Sequence, residues 1–223
     1  MLRGGRGGEV RLKTYLSMLL IAGAAPHDVS YPARAWATLL DLPAPDTNGA
    51  RRVHDAIAWL EREQFVAVAN NAGRPNRVTL LHESGSGTAY DVPGEAYNRV
   101  RDREGTDAAL AHRYIKLPIE LWTSGWIAVL SAPALAMYLV VKCAQSGPDQ
   151  SEVWFSPDQA DKLYALSSDT RSRGLEELRA GGLVVVRRRA LSGDVFDVRR
   201  FRNVYTLDED RLKEPARVVR TRR

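Results

Sequence analysis

The sequence predicts an α+β chain that is mainly helical and consists of two modules in tandem. In each half, apolar residues at helical spacing are followed by two strand-like apolar runs around a glycine-containing turn. The 223 residues suffice for two domains of about 100 residues each. An offset of 118 residues places Phe65–Val68 on Leu183–Val186, and Ile57 and Leu60 on Leu175 and Leu178. A match of helix stripe and strand start indicates an internal duplication.

The first module is predicted to span residues 10–92, after a disordered Gly/Arg-rich start at residues 1–9. Its first helix is predicted over Val10–Ala22, where leucines recur at helical spacing. A short second helix opens at Pro32 and stops before Pro43. These two helices supply the first part of a small core.

A third helix and a hairpin complete the first module. Asp46 or Thr47 is predicted to cap this helix, which runs to about Gln64. A turn at residues 73–76 then separates two strands, and a third strand follows them. The three strands are predicted at Phe65–Ala69, Arg77–Leu81 and Thr88–Val92.

A polar stretch at residues 93–113 is predicted to be a linker, partly helical around Asp107–His112. The second module, residues 114–207, is predicted to repeat the order of the first. It starts with a strand at Tyr114–Leu117 and a small helix at Pro118–Trp122.

The rest of the second module contains three helices and three strands. The helix starts are marked by Ser131, by Ser156-Pro157, and by Ser167 or Ser168, which are all favourable cap residues. Strands are predicted at Val153–Phe155, Leu183–Arg189 and Val195–Leu207, with a turn at Ser192-Gly193. Residues 208–223 are predicted to be a flexible basic tail that ends in Arg217, Arg220, Arg222 and Arg223.

One part of the second module resembles a known family. Ser167–Leu175, followed by Leu178 and Gly181–Val184, resembles the third helix and first wing strand of winged helix-turn-helix domains. Arg202–Leu207 is similar to the last wing strand in plasmid and phage replication initiators, and similar segments occur in bacterial transcription regulators. The resemblance covers residues 155–207 well and residues 10–82 less closely.

The resemblance implies two winged-helix modules, each with three helices and a β-hairpin wing, that bind double-stranded DNA. Such a module places one helix in the major groove and its hairpin beside the backbone. The first module departs from the family pattern, because Asp46–Gly49 stands where the second module has its Ser-x-x-Thr helix start.

The charge distribution agrees with a nucleic-acid partner. The net charge is +5, and residues 171–202 contain nine arginines against four acidic residues. Arginine, unlike lysine, can make bidentate contacts to phosphate or guanine. A run of charge can also be no more than a solvated face, which is the simpler alternative here.

In the second module, the candidate DNA contacts lie on the third helix and on the wing. Ser168 and Thr170 are predicted to donate to phosphate, and Arg171 and Arg173 to read bases. Glu176 and Glu177 would repel phosphate further along the helix. The wing candidates are Arg187, Arg188, Arg189, Arg199, Arg200 and Arg202. Because strand residues alternate faces, Arg187 and Arg189 are expected on one face, and so are Arg200 and Arg202.

In the first module, the equivalent candidates are Asn48, Arg51, Arg52, Arg74 and Arg77. The nearby acids Asp55, Glu61 and Glu63 dilute their charge. The alternative is that this module serves dimerisation or binds a protein partner.

Composition argues against several other classes. A single cysteine, Cys143, excludes a disulfide framework, and the four histidines lack paired-ligand spacing. No phosphate loop or catalytic constellation is evident, so we expect no enzyme activity, cofactor or metal. Residues 126–141 are too short and interrupted to span a bilayer, and the signal-like start at residues 1–26 is better explained as a helix. We expect a cytoplasmic, nucleoid-associated protein without a small-molecule ligand.

The function expected from these observations is sequence-specific binding of double-stranded DNA, either in transcription regulation or in replication or partition of a mobile element. A homodimer on a palindromic site and a monomer on an asymmetric site are both compatible with two modules. One alternative is a tandem winged-helix interaction or scaffold protein of a chromosome-organisation complex. The other is an RNA-binding module, which would need exposed aromatic residues on a sheet.

Overall fold

The computed structural model of the chain describes residues 7–146, 152–155, 165–190 and 201–217. The fold is α+β and mainly helical, with two small antiparallel sheets in these ranges. The chain divides into two compact units, residues 1–114 and residues 115–223.

The first unit consists of helices that precede a hairpin, and a second group of helices follows the hairpin. The elements are α1 (Gly8–Ile21), β1 (Asp28–Val29), α2 (Ala33–Leu39), α3 (Ala50–Arg62), β2 (Val66–Ala69), β3 (Arg77–Leu80), α4 (Pro93–Glu104) and α5 (Thr106–Ala109). Strand β3 pairs antiparallel with both other strands, so the sheet order is β1-β3-β2.

The core of the first unit lies around α3, which packs against α1 and α2. Val53, Ala56 and Leu60 are its buried residues, at the three- and four-residue spacing of one helical face. Ile57 beside them is half-buried. Helix α1 is buried on nearly all sides, and even Lys13 is buried, with its ammonium 2.8 Å from the Glu9 carboxylate. The ion pair satisfies a charge that burial would otherwise destabilise.

The start of α3 differs from the prediction. Neither Asp46 nor Thr47 caps it, because residues 45–49 form a wide helical turn that leads directly into Ala50. Gly49 in this turn is buried, and an added Cβ would lie 3.1 Å from the Cβ of Ala37 on α2. Close packing of the turn on α2 therefore replaces a side-chain cap.

Other parts of the first unit also differ from the prediction. Residues Gly8 and Glu9, expected to be disordered, begin α1. Strand β1 was not predicted, and the expected strand Thr88–Val92 is reduced to one bridge between Leu81 and Ala89. Residues 93–113, predicted to be a linker, form α4, α5 and a short 3-10 helix that belong to the first unit.

The second unit has its own helices and hairpin. They are α6 (Glu120–Thr123), α7 (Trp126–Val129), α8 (Ala132–Gln145), α9 (Ser168–Ala180), β4 (Val184–Ala190), β5 (Phe201–Leu207) and a 3-10 turn (Asp210–Lys213). Strands β4 and β5 pair antiparallel along their whole length, and Val153 forms one bridge to Tyr205 on β5.

Helix α8 is the buried centre of the second unit, as its apolar composition predicts. It packs against α9, whose Gly174 and Leu178 are buried. Ser131 caps α8 by accepting a hydrogen bond from the Ala134 amide, which confirms the predicted cap. The Glu177 carboxylate on α9 in turn accepts from the amide and hydroxyl of Ser131, at 2.8 and 2.5 Å. The first turn of α8 is thereby tied to the last turns of α9.

The segment after β5 is packed, whereas the sequence predicted a flexible tail. Leu212 is fully buried, and the Trp126 indole donates to the Glu214 carbonyl at 3.0 Å. Glu209 accepts hydrogen bonds from Tyr138 and Lys142 on α8. Burial and the hydrogen bond to Glu209 raise the pKa of Tyr138. Residues 208–217 are thus part of the second unit, whereas residues 218–223 of the predicted tail lie outside the described residues.

Two strand predictions in the second unit are wrong. Residues 114–117 have no strand structure, and Val153–Phe155 contributes only the bridge at Val153. Helix α7 was not predicted. The helix predicted at Ser156-Pro157, the turn at Ser192-Gly193 and the strand residues 195–200 lie outside the described residues.

The element bounds repeat between the two units. Helices α3 and α9 each have 13 residues, with both ends separated by the predicted offset of 118, and β2 and β4 start at the same offset. Helices α1 and α8 each have 14 residues at an offset of 124, and Val29 and Val153 are separated by the same amount.

The pairing register repeats as well. Val29 pairs with Val78 on β3. Leu80, two residues further along β3, pairs with the first residue of β2. In the second unit, Val153 pairs with Tyr205 on β5. Leu207, two residues further along β5, pairs with the first residue of β4. Both units therefore share the order helix, short strand, helix and hairpin, with the short strand in the same register.

Candidate nucleic-acid interface

The first turn of α9 is capped by the hydroxyl groups of Ser167 and Thr170. The Ser167 hydroxyl oxygen accepts from the Thr170 amide at 3.2 Å and lies 2.9 Å from the Thr170 hydroxyl. Thr170, predicted to donate to phosphate, is half-buried and engaged in this cap. Ser168 is exposed, and its amide lies at the start of the helix, where the backbone favours an anion.

The two arginines predicted to read bases have different environments. Arg171 is half-buried and donates from Nη1 to the Leu166 carbonyl at 3.0 Å. Helical side chains lean toward the helix N-terminus, which brings this guanidinium back to the preceding segment. Arg173 is exposed and pairs with Asp169 at 2.9 Å. Such an exposed pair one turn apart is worth only about 0.2–0.5 kcal/mol, so Arg173 can release it for another partner.

One face of the β4–β5 hairpin combines arginines with Glu152. The Arg189 guanidinium makes two hydrogen bonds to the Glu152 carboxylate, at 2.8 and 2.9 Å, and Arg187 lies 3.8 Å from it. The hydrogen bond from Arg189 lowers the pKa of Glu152. Arg187 and Arg189 therefore share a face, as alternation predicts.

Arg202 and Arg188, the other described wing arginines, lie on opposite faces of the hairpin. Arg202, opposite Arg189 in the ladder, is half-buried, with its guanidinium 4.6 Å from the centre of the Trp154 ring. Arg188 lies on the other face, opposite Asn203, and is exposed. Among the residues described, its guanidinium has no hydrogen-bond or ion-pair partner. Arg199 and Arg200 lie outside the described residues.

The candidates of the first unit lie at two places. Asn48, Arg51 and Arg52 are exposed in the turn before α3 and in its first turn. Arg74 and Arg77 are exposed at the turn of the β2–β3 hairpin, where Arg77 pairs with Asp28 on β1 at 3.4 Å. The structure leaves the guanidinium groups of Arg51, Arg52 and Arg74 without partners within the ranges it describes.

A groove of about 370 Å³ lies between α3 and the hairpin of the first unit. His54 and Ile57 line it from α3, Arg74 from the hairpin turn, and Tyr31 from the segment just before α2. The structure thus brings Arg74 to the same groove as the exposed His54 of α3. Sequence reasoning had not selected His54 or Tyr31.

Sequence reasoning also missed the acidic partners of the arginines. Asp169 precedes Arg173 by four residues, a spacing that predicts a helical ion pair. Glu152 has no such local signal, because it meets Arg189 only through the strand register, 37 residues away. Glu177, which we expected to repel phosphate, instead accepts a hydrogen bond from the Ser131 amide.

Comparisons with known proteins identify no relative: no family model, curated protein or solved structure matches the chain. In the described part of the chain, no helix is long and apolar enough to cross a membrane. Within the same ranges, no three histidine, cysteine, aspartate or glutamate side chains lie close enough to hold a metal ion.

Proposed function

We propose that the chain is a tandem winged-helix protein that binds double-stranded DNA in a sequence-specific manner. The observation that supports this most is in the second unit, where α9 leads directly into a hairpin with three consecutive exposed arginines, Arg187–Arg189. A helix for the major groove and a basic hairpin for the backbone are the two parts that this mode of binding needs.

The repeat supports a second contact of the same kind. In the first unit, α3 leads into a hairpin at the same offset, with Arg51 and Arg52 on the helix and Arg74 on the hairpin turn, all exposed. We assign these residues to a weaker, mainly phosphate-directed contact, because Asp55, Glu61 and Glu63 lie on or next to α3.

In the second unit, the residues divide between base and phosphate contacts. Arg173 is assigned to a base, because its partner Asp169 is exposed and replaceable. Arg188 is assigned to phosphate, together with Ser168 and the start of α9. Arg171 and Arg202 are assigned to positioning, since each is held by a neighbouring group of the protein.

Binding to duplexes selected from a random pool tests this proposal. We expect Arg173→Ala to weaken binding to the selected duplex by about 10- to 100-fold and to relax its sequence preference. Arg188→Ala should weaken binding to all duplexes alike and reduce the salt slope by about one. Anisotropy titrations at several salt concentrations measure both effects.

Arg101→Ala is the matched control, because it removes one positive charge from α4, where Arg101 pairs with Asp102. It should bind DNA like the wild type. No binding to any duplex at low salt, or an equal loss in all three variants, would contradict the proposal. Selection of genomic fragments then separates promoter, origin and partition sites.

The carboxylate of Glu152 is expected to weaken DNA binding. It neutralises Arg187 and Arg189, to which we assign further phosphate contacts from the hairpin face opposite to Arg188. Glu152→Gln should therefore raise affinity by about three- to tenfold at low salt, with a steeper salt dependence. Glu95→Gln on α4 removes the same charge elsewhere and should leave the affinity unchanged. An unchanged or lower affinity for Glu152→Gln would remove Arg187 and Arg189 from the interface.

A further inference from the structure

A cavity of about 400 Å³ lies at the C-terminal end of α9, within the second unit. Three arginines line it, each from a different place: Arg179 from the last turn of α9, Arg211 from the 3-10 turn, and Arg217 after that turn. Trp126, Ala180, Gly181 and Gly182 form the rest of the described walls. Among the residues that the structure describes, no acidic side chain lines it.

Arg211 is fixed in this cavity before any ligand binds. Its guanidinium lies 5.0 Å from the centre of the buried Trp126 ring and 2.8 Å from the Glu214 carboxylate. Gly182, with a φ of +77°, passes beside it, and an added Cβ would lie 3.5 Å from the Arg211 side chain. A guanidinium held in this way loses little conformational entropy when it binds an anion.

Arg179 and Arg217 supply positive charge that nothing nearby compensates. Both are exposed, and within the described ranges neither guanidinium has a hydrogen-bond or ion-pair partner. Glu214, the acid that pairs with Arg211, has a side chain that is 67% exposed. The cavity therefore concentrates three guanidinium groups against one solvated carboxylate.

The two glycine amides at the cavity are already used within the protein. The Gly181 and Gly182 amides donate to the carbonyls of Glu177 and Arg179. The C-terminus of α9 also carries a partial negative charge that opposes an anion. An anion would depend on the arginines alone, so the loss of one arginine should have a large effect.

We propose that this cavity binds the phosphate groups of a small phosphorylated molecule, with a diphosphate spanning the guanidinium groups. Guanidinium groups favour phosphate because they donate two parallel hydrogen bonds to it. The volume lies within the range of small-ligand sites, about 300–1,000 Å³. The cavity is also separate from the start of α9, because a helix of 13 residues is about 18 Å long between its first and last residue.

The test is calorimetric titration of the full chain with inorganic pyrophosphate, orthophosphate and sulfate. We expect one saturable pyrophosphate site that binds more tightly than either smaller anion. Arg179→Ala and Arg217→Ala should each weaken it by about tenfold or more. Arg101→Ala, which removes the same charge from α4, should stay within twofold of the wild type. Absence of a saturable site, or an equal loss in all three variants, overturns the proposal.

Duplex DNA provides the second arm, because its backbone also carries phosphate. Arg179→Ala and Arg217→Ala should bind duplexes like the wild type if the cavity takes a small molecule. If both variants lose duplex affinity as much as pyrophosphate affinity, the cavity is a contact for the DNA backbone, and the small-molecule site is refuted. A chain that binds pyrophosphate but no duplex would refute DNA binding and leave this site intact.

Discussion

Replacement of Gly174 by alanine is expected to destabilise the second unit by about 1–3 kcal/mol. Intrinsic helix propensity predicts the opposite sign, since alanine favours a helix by about 1 kcal/mol over glycine. The reason is the close approach of α9 to α8, where an added Cβ would lie 2.8 Å from Met137 Cγ and closer still to the Pro133 backbone. Backbone cannot rotate away as a flexible side chain can, so the two helices must separate.

Ser172→Ala on the same helix is the control, because Ser172 is exposed and its replacement should be neutral or slightly stabilising. Urea unfolding followed by circular dichroism gives the free energies, and hydrogen exchange locates the change. We expect faster exchange in α8 and α9, with α1 and α3 unchanged. A more stable Gly174→Ala variant would show that the two helices do not pack this closely.

Replacement of Leu212 by alanine is expected to cost about 2–5 kcal/mol in the free energy of unfolding of the second unit. Leu212 is fully buried, and its removal leaves a void beneath the segment that carries Arg211 and Glu214. Lys213→Ala is the adjacent control: its side chain is 67% exposed, so the change should stay within about 0.5 kcal/mol.

Proteolysis distinguishes this packed segment from a flexible tail. Trypsin should cut after Arg211 slowly in the wild type and in Lys213→Ala, and quickly in Leu212→Ala. If Leu212→Ala and Lys213→Ala were equally stable and the wild type were cleaved rapidly, this segment would be the flexible tail that the sequence predicts.

Features set by neighbouring residues could be predicted from the sequence. The cap at Ser131, the bounds of α9 and the strand starts at the offset of 118 all depend on short-range spacing. Helix α4 was missed because only Ala96 among its residues is buried, so it has no apolar stripe to detect.

The hydrogen-bond and ion-pair partners of polar side chains could not be predicted in the same way. Glu177 bonds Ser131 across 46 residues, and Arg189 meets Glu152 across 37, so both contacts depend on tertiary packing. The buried segment around Leu212 depends on a single apolar residue among charged ones, a pattern that locally resembles a solvated tail. Arg171 and Arg173 instead have local partners, the Leu166 carbonyl five residues back and the Asp169 carboxylate four residues back.

The two hairpins have unequal lengths. Strands β2 and β3 have four residues each, whereas β4 and β5 have seven, so the second hairpin is longer by about 10 Å at the usual rise per residue. With hairpins of unequal length, the two halves of the chain are not interchangeable. On a DNA duplex, such a chain would have a polarity, because reversing it would exchange a short arm for a long one. A single copy could thereby distinguish upstream from downstream, which a symmetric pair of modules cannot do.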